Sequence, residues 1–331
     1  MRPSLLFFCL LLTTTHLFCQ GPTTKKEYFP PATSWEKRSA SLSGFDTLKL
    51  NEAIHFAISN ESKSSRSMEK SQALTFGKEP FGEPIGPFAD RGDPTGIIIH
   101  HGYIVAEWGD PSRVDMTHSV TKSFLSIVVG LAVDRKLIRS TNDKVSEYFT
   151  TASLYDSSDD KTVSPFVSKQ NKELTWEVML RQTSDWEGTL WGKPDWADRP
   201  DPDSTKWHNR ARNKPGAVFE YNDVRVNALA LAATFVWKKS LPQVLKERIM
   251  DPIGASGTWK WEGYHNSRIL LNGKPVQAVG GGGHWGGGLF INAYDMARFG
   301  LLTLQKGKWK GKQLVSKKWI QQSLTPTTAN T

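Results

Sequence analysis

His118-Ser119-Val120-Thr121-Lys122-Ser123-Phe124-Leu125-Ser126-Ile127-Val128-Val129-Gly130-Leu131 places a serine and a lysine three residues apart at the mouth of a long apolar run. One helical turn separates residues i and i+3, so on a helix the Ser119 hydroxyl and the Lys122 amine share a face. A serine hydroxyl is a poor nucleophile until a neighbouring base removes its proton, and a partly desolvated lysine is able to do so. Ser34–Lys37, Ser67–Lys70 and Ser158–Lys161 repeat the spacing, so spacing alone decides nothing. Only Ser119 has Val120, Phe124, Leu125, Val128, Val129 and Leu131 behind it, the pattern of a buried helix. Ser119 is therefore the candidate nucleophile, at the start of a helix predicted over 116–137.

Working outward, 331 residues with 38% hydrophobic content, 13 Trp and 16 Phe are enough to bury a sizeable core, in one large domain or two intertwined ones. The N-terminus has the form of an export signal over 1–19: Arg2 supplies positive charge, Leu5 to Leu12 an apolar stretch, and Thr13 to Cys19 a polar exit. The stretch is too short to span a bilayer, so no stable membrane span is expected after cleavage. A periplasmic or secreted location follows as the expectation. Lipid anchoring at Cys19 is disfavoured by bulky Phe18 before it. Both cysteines, Cys9 and Cys19, fall inside this leader, which leaves the mature chain no thiol chemistry or disulfide. The formal charge of +9 is scattered, apart from basic runs at 306–312 and 317–318. No nucleic-acid motif accompanies it, so a solvated basic surface is expected and a nucleic-acid partner is not.

Residues 20–44 are expected to form an extended arm and 45–331 the domain. A capped amphipathic helix is predicted at 45–59 behind Asp46, and a Ser-, Lys-, Gly- and Pro-rich loop at 60–94. Ile97-Ile98-Ile99 and Tyr103-Ile104-Val105, on either side of His101-Gly102, predict a hairpin over 96–109. A helix is predicted at 174–182, an aromatic loop with Trp186, Trp191 and Trp196 after it, and an amphipathic helix within 219–237. Asn272-Gly273 between apolar runs signals a second hairpin. The glycine-rich loop 280–288 then leads into a helix with an Asn292…Asp295 cap. Hairpin, helix, helical insert and further strands together imply an α/β sheet with an all-helical lobe.

Ser119 and Lys122 need a third group to pass protons to a leaving group. Tyr221, in Tyr221-Asn222-Asp223, is the candidate, since a phenol near an ammonium gives up its proton more readily. His284 offers a different logic, but no serine lies in a G-x-S-x-G elbow, so a pocket-lining role is the one it keeps. His100-His101 are neighbours on a strand and point to opposite faces, and no H-E-x-x-H spacing occurs, so no metal is expected.

These segments together resemble the serine β-lactamase and penicillin-binding-protein superfamily, in its class C β-lactamase-related branch of esterases and 6-aminohexanoate-dimer-hydrolase-like enzymes. The resemblance is carried by 96–109, the His118 to Phe124 motif, Leu180 to Ser184, Pro215 to Tyr221 and 280–300. It implies an α+β fold with an antiparallel sheet flanked by helices plus an all-helical lobe. It also implies acylation of Ser119, Lys122 and Tyr221 as the base and acid network, and no cofactor.

Two departures are visible. The third position of the Tyr-x-Asn motif is Asp223, and a carboxylate has no amide hydrogen to offer a β-lactam side chain. This favours an ester or small amide over a β-lactam or cell-wall peptide. His284-Trp285-Gly286 has the letters of the family's third motif, but its setting is that of the glycine loop before the next helix. On that alignment Thr331 precedes the true third motif. The expectation is a chain truncated at its C-terminus, short of the last strands and one oxyanion donor, with weak activity or only ligand binding. Trp186 and Trp191 are expected to wall the substrate cleft with His284.

Overall fold

Two hairpins anchor the sheet structure, and both turn on residue pairs that tolerate left-handed backbone. In a computed structural model describing residues 27–32, 34–149, 151–155 and 162–326, β1 (Gly96–His100) and β2 (Tyr103–Trp108) are antiparallel, with Ile97 opposite Glu107. They are joined by His101 at φ 49° and Gly102 at φ 87°. Asn272 and Gly273, at φ 53° and 74°, join β8 (Lys260–Leu271) to β9 (Lys274–Val279) in the same way. Positive φ at both central residues is what a two-residue hairpin loop demands. The proposed leader, 1–19, lies outside the described residues.

The arm runs along β2, with Arg38 N donating to Ile104 O at 2.8 Å and Ile104 N to Glu36 O at 3.1 Å. Helix α1 (Thr47–Ser59) follows, capped as expected by Asp46, which accepts from Leu48 N and Lys49 N. Leu48 and Phe56 on it remain exposed. The stretch 60–94, expected to be loop, carries α2 (Met68–Leu74) and a 3₁₀ turn, Phe76–Lys78. Among the described residues β1 pairs only with β2.

The second sheet has the order β3-β10-β8-β9, all antiparallel, with β3 (Asp115–Met116) and β10 (Gly288–Ile291). The predicted single helix over 116–137 is divided. Met116 belongs to β3, His118–Val120 is a 3₁₀ turn, and α3 (Thr121–Asp134) carries the apolar run. Phe124, Leu125, Ile127, Val128, Val129, Leu131 and Ala132 of α3 are buried.

The helical lobe begins with a short ladder, β4 (Ala152–Ser153) with β5 (Thr162–Val163), then α4 (Trp176–Leu180) and the pair β6 (Thr189–Leu190) and β7 (Lys193–Pro194). It continues through α5 (Lys206–Asn209), α6 (Asp223–Trp237), α7 (Leu241–Leu245) and α8 (Asp251–Ile253). Helix α6 was expected to be amphipathic, yet every residue from Asp223 to Thr234 is buried, because α3, α4, α7 and β9 surround it. A helix enclosed on all sides needs no polar face. After β10 come α9 (Ala293–Leu304), the ladder β11 (Lys308–Trp309) with β12 (Lys312–Gln313), and α10 (Lys317–Leu324). Phe124 of α3 stacks on Phe299 of α9 at 3.8 Å, which ties lobe and sheet into one core. Among the described residues no helix is long and apolar enough to cross a membrane.

Candidate active site

The turn that carries Ser119 is held from below by β10. Thr117 donates to Leu289 O through both its N (2.9 Å) and Oγ1 (2.8 Å), and Leu289 N donates to Thr121 Oγ1 at 2.9 Å. His118, between them, is left-handed at φ 47°, a conformation a bulky residue adopts only when its surroundings enforce it. Burial holds the His118 imidazole below its usual range. The outcome is an exposed Ser119 at the start of α3, where i and i+3 side chains line up across the 3₁₀ turn.

The expected partners converge there. Lys122 Nζ is 3.2 Å from Ser119 Oγ, and the Tyr221 hydroxyl oxygen is 2.5 Å from the same atom. Lys122 Nζ also sits 4.6 Å from the centre of the Tyr221 ring. Sequence reasoning had seen Asp223 only as a missing amide. In the structure it turns inward, its Oδ1 2.6 Å from Lys122 Nζ and its Oδ2 accepting from His284 N at 3.1 Å. An ammonium donating to Asp223 and to Ser119 has no lone pair with which to take a proton.

Tyr221 owes its position to the residues around it. Glu220 N donates to Gln182 O and Asn222 N to Gln182 Oε1, both at 2.9 Å, and Asn222 Oδ1 caps α6 by accepting from Arg225 N at 3.1 Å. Behind them lies a buried charge network. Arg225 pairs with Asp185 at 2.8 Å, Arg212 with Asp195 at 2.6 Å, and Arg210 with Asp185. Buried charges persist only when matched this way.

The glycine loop 280–288 closes against the ion pair. A Cβ on Gly282 would collide with Lys122 Nζ and Asp223 Oδ2, so only glycine lets the backbone pass this close. His284, on the same loop, does not line an open pocket. Its ring is buried, with Nε2 2.9 Å from Glu79 and Nδ1 3.4 Å from Asp198, and it stands 4.3 Å from Phe76. Burial lowers it to about 4. Asp198 is pushed up to about 7 by burial and by Asp223, whose backbone N donates to its carboxylate. Burial raises Glu79 as well. Donor atoms of Asp198, Asp223 and His284 lie within 4.8 Å of one another. Arg199 and Lys122 already compensate the two carboxylates, so the cluster is a hydrogen-bonded charge network in its own right.

Trp186 and Trp191 do not wall the cleft. They are 1% and 5% exposed and belong to the core, and the Trp186 indole donates to Pro165 O at 2.6 Å. An indole that finds a backbone acceptor is stable inside. The aromatic ring at Ser119 is instead Tyr221, and Arg199 Cζ lies 4.8 Å from its centre and 5.3 Å from that of Phe76. Phe76 reaches the site because buried Lys193 grips the following segment, donating to Phe81 O (2.6 Å), Glu83 O (2.8 Å) and Glu83 Oε1 (2.7 Å). Phe76, Asp198 and Arg199 had no local signal; tertiary contacts bring them together, Phe76 across more than a hundred residues of chain from the Asp198–Arg199 turn.

The Beta-lactamase family model matches residues 98–331, and the chain belongs to that family, within the serine β-lactamase and penicillin-binding-protein superfamily. No curated protein matches it. Among solved structures it is similar to a protein from Bacillus anthracis assigned as a 6-aminohexanoate-dimer hydrolase (TM-score 0.44, 17% identity, 69% of this chain and 58% of that one). It is also similar to one from Bacteroides dorei assigned as a β-lactamase (0.45, 18%, 69% and 64%) and to a penicillin-binding protein from Bacillus halodurans (0.44, 17%, 67% and 66%). The chain spans less than two thirds of the length of each.

Proposed function

We propose that this chain is an exported serine hydrolase that forms an acyl-enzyme at Ser119 and hydrolyses an ester or a small amide. The observation that carries the proposal is the convergence of Tyr221 (2.5 Å) and Lys122 (3.2 Å) on Ser119 Oγ. Lys122, first expected as the base, is tied as an ammonium to buried Asp223, so the proton goes to the other neighbour. Tyr221, in the form that has lost its proton and faces the charges of Lys122 and Arg199, accepts the Ser119 proton as Oγ attacks the carbonyl carbon. It then protonates the departing oxygen or nitrogen. In the second half it takes a proton from water, the hydroxide attacks the acyl carbon, and the proton returns to Ser119.

Asp223 weighs against a β-lactamase or peptidase reading, because both its oxygens are engaged inside the site and neither is a donor. Export rests on Arg2 and the Leu5–Leu12 stretch. A fluorophosphonate should label Ser119, as mapped by mass spectrometry, and a nitrophenyl ester should turn over faster than a chromogenic cephalosporin. Labelling at another serine that survives Ser119→Ala overturns the assignment, and faster cephalosporin hydrolysis moves the substrate to β-lactams.

A further inference from the structure

Most of the excess positive charge is concentrated in the last part of the chain. From Met296 to Thr331 there are seven Lys or Arg and no Asp or Glu, against a net charge of +9 for the whole sequence. Six of the seven, Lys306, Lys308, Lys310, Lys312, Lys317 and Lys318, are exposed, and none forms an ion pair among the described residues. The β11–β12 hairpin is firmly seated. Trp309 is buried against Phe29 with ring centres 5.0 Å apart, Leu314 N donates to Gly307 O at 2.8 Å, and Gln313 Nε2 donates to Lys306 O at 2.7 Å. Lys310 and Gly311, at φ 45° and 84°, form its two-residue turn.

On one side of the hairpin a groove of about 500 Å³ runs to the end of α3 and to the helical turn Lys246–Met250 between α7 and α8. Arg135, Arg248, Lys310 and Lys312 line it. Its one carboxylate, Glu247, is already held by Lys239 through both oxygens at 3.0 Å. Asp134, next to Arg135, accepts from Ser316 N at 2.8 Å, which continues the basic surface onto Lys317 and Lys318. A helix N-terminus favours acids, yet α10 opens on these two lysines, so local stability does not account for them. On the other side a second groove, of about 640 Å³, is lined by Lys308 and Lys310 with Tyr28, Tyr103 and Glu27. Lys310 belongs to both grooves.

We propose that this hairpin docks a linear phosphodiester polymer without bases, of the poly(glycerol phosphate) kind, lying in the first groove and crossing Lys310 into the second. The inference stands apart from the reaction at Ser119. Like charges gathered without counter-ions repel one another, a cost that a bound polyanion relieves. Lysines bind phosphates as point charges, which suits a flexible chain of singly charged groups. A concave groove admits such a chain and excludes a flat bilayer. Single-stranded nucleic acid stacks its bases on free aromatic faces. Here Tyr103 has Tyr28 stacked at 4.1 Å and Arg38 Cζ 3.3 Å from its centre, and Trp309 is buried, so those rings are already covered.

The test follows the fluorescence anisotropy of labelled poly(glycerol phosphate) titrated with the protein between about 20 and 300 mM NaCl. At about −0.7 per phosphate, the value for a single strand, four groove cations predict a slope of about −3 for log affinity against log salt. Arg135→Gln, Arg248→Gln, Lys310→Gln and Lys312→Gln together should weaken binding about tenfold or more and flatten that slope. A control removes equal charge elsewhere, with Lys49, Lys63, Lys70 and Lys274 changed to Gln, and should stay within about twofold of the parent. All eight positions are exposed, so neither variant disturbs the core. A parent that does not bind, or equal weakening in both variants, overturns the proposal. Tighter binding, at equal phosphate concentration, of a thymidine oligonucleotide or of phosphatidylglycerol vesicles also overturns it, in favour of nucleic acid or a membrane surface.

Discussion

Replacing Asp223 with Asn removes a single charge from the centre of the site while keeping its shape. The carboxylate is 2% exposed and the lysine it pairs with 16%, so solvent does little to screen either. Breaking a buried pair by removing one partner costs about 3–5 kcal/mol, because the other charge is left uncompensated. Asn offers one oxygen, so it would keep the contact to Lys122 or the one to His284 N and turn its NH2 toward the other donor, which places the expected loss of unfolding free energy within that range, about 3–5 kcal/mol. Activity should fall as well, because Lys122 is held 3.2 Å from Ser119 by its pull toward Asp223. A lost charge-assisted hydrogen bond is worth about 1.5–3 kcal/mol, roughly 10- to 100-fold in kcat/KM for a nitrophenyl ester. Denaturant unfolding and the rate of fluorophosphonate labelling read the two effects separately. Lys122→Met and the double variant complete a cycle in which removing Asp223 should cost much less once Lys122 is gone. A labelling rate within about twofold of the parent, with unfolding free energy within about 0.5 kcal/mol, would refute the assigned pair.

Tyr221→Phe keeps the ring under Lys122 and Arg199 but removes the proton carrier, so kcat for ester hydrolysis should drop about 10²–10⁴-fold; a smaller loss than Lys122→Met causes would return the base role to Lys122. Gly282→Ala should push the loop off the Lys122–Asp223 pair and impair labelling of Ser119, and unaltered labelling would show that the loop has room the packing denies it. Arg225→Met leaves Asp185 and Asp195 short of a buried partner, with an expected loss of about 3–5 kcal/mol in chemical denaturation. The pH dependence of stability isolates Asp198. Its native value near 7, against 3.8 unfolded, gives stability that is full below about 4 and lost as pH rises through 7. His284, near 4 against 6.5, gives the opposite slope, stability gained as pH rises from 4 to 6.5. The parent should therefore vary little in that window, whereas Asp198→Asn should gain on the order of 3 kcal/mol across it; a flat profile for the variant would count against the network.

What the chain announced in advance was local. His101-Gly102 and Asn272-Gly273 specify tight turns by backbone preference alone, and both hairpins form. Asp46 and Asn292 cap the helices they precede, since a cap needs only the next three residues. The Ser119–Lys122 juxtaposition is likewise a matter of one turn. The misjudged features all depend on what lies across the fold. Trp186 and Trp191 look like a cleft wall until acceptors and packing partners from elsewhere place them inside. Helix α6, expected to be amphipathic, also buries Arg225 and Asn227, which pair with Asp185 and the Tyr264 hydroxyl in the interior. The run 60–94 has the composition of a loop, and its place in the site is set by Lys193, more than a hundred residues later.

The substitution of Asp for Asn at 223 explains why the cleft is built as it is. An amide there could face outward and meet the substrate. A carboxylate next to Lys122 is drawn inward, and once inside it takes the His284 N–H as well, so the second motif is used up in holding the glycine loop and the ammonium. Two consequences follow. A second buried carboxyl, Asp198, now lies against the first, and burial together with Asp223 raises it to about 7 while it stays paired with Arg199. Substrate contacts must also come from outside the motif, and beside Tyr221 stands exposed Arg199, with half-buried Phe76 next to it. On the proposed hydrolase reading, selectivity is assigned to the 76–83 segment and the 198–200 turn, and exchanging those two segments should change which ester is preferred while fluorophosphonate labelling of Ser119 persists.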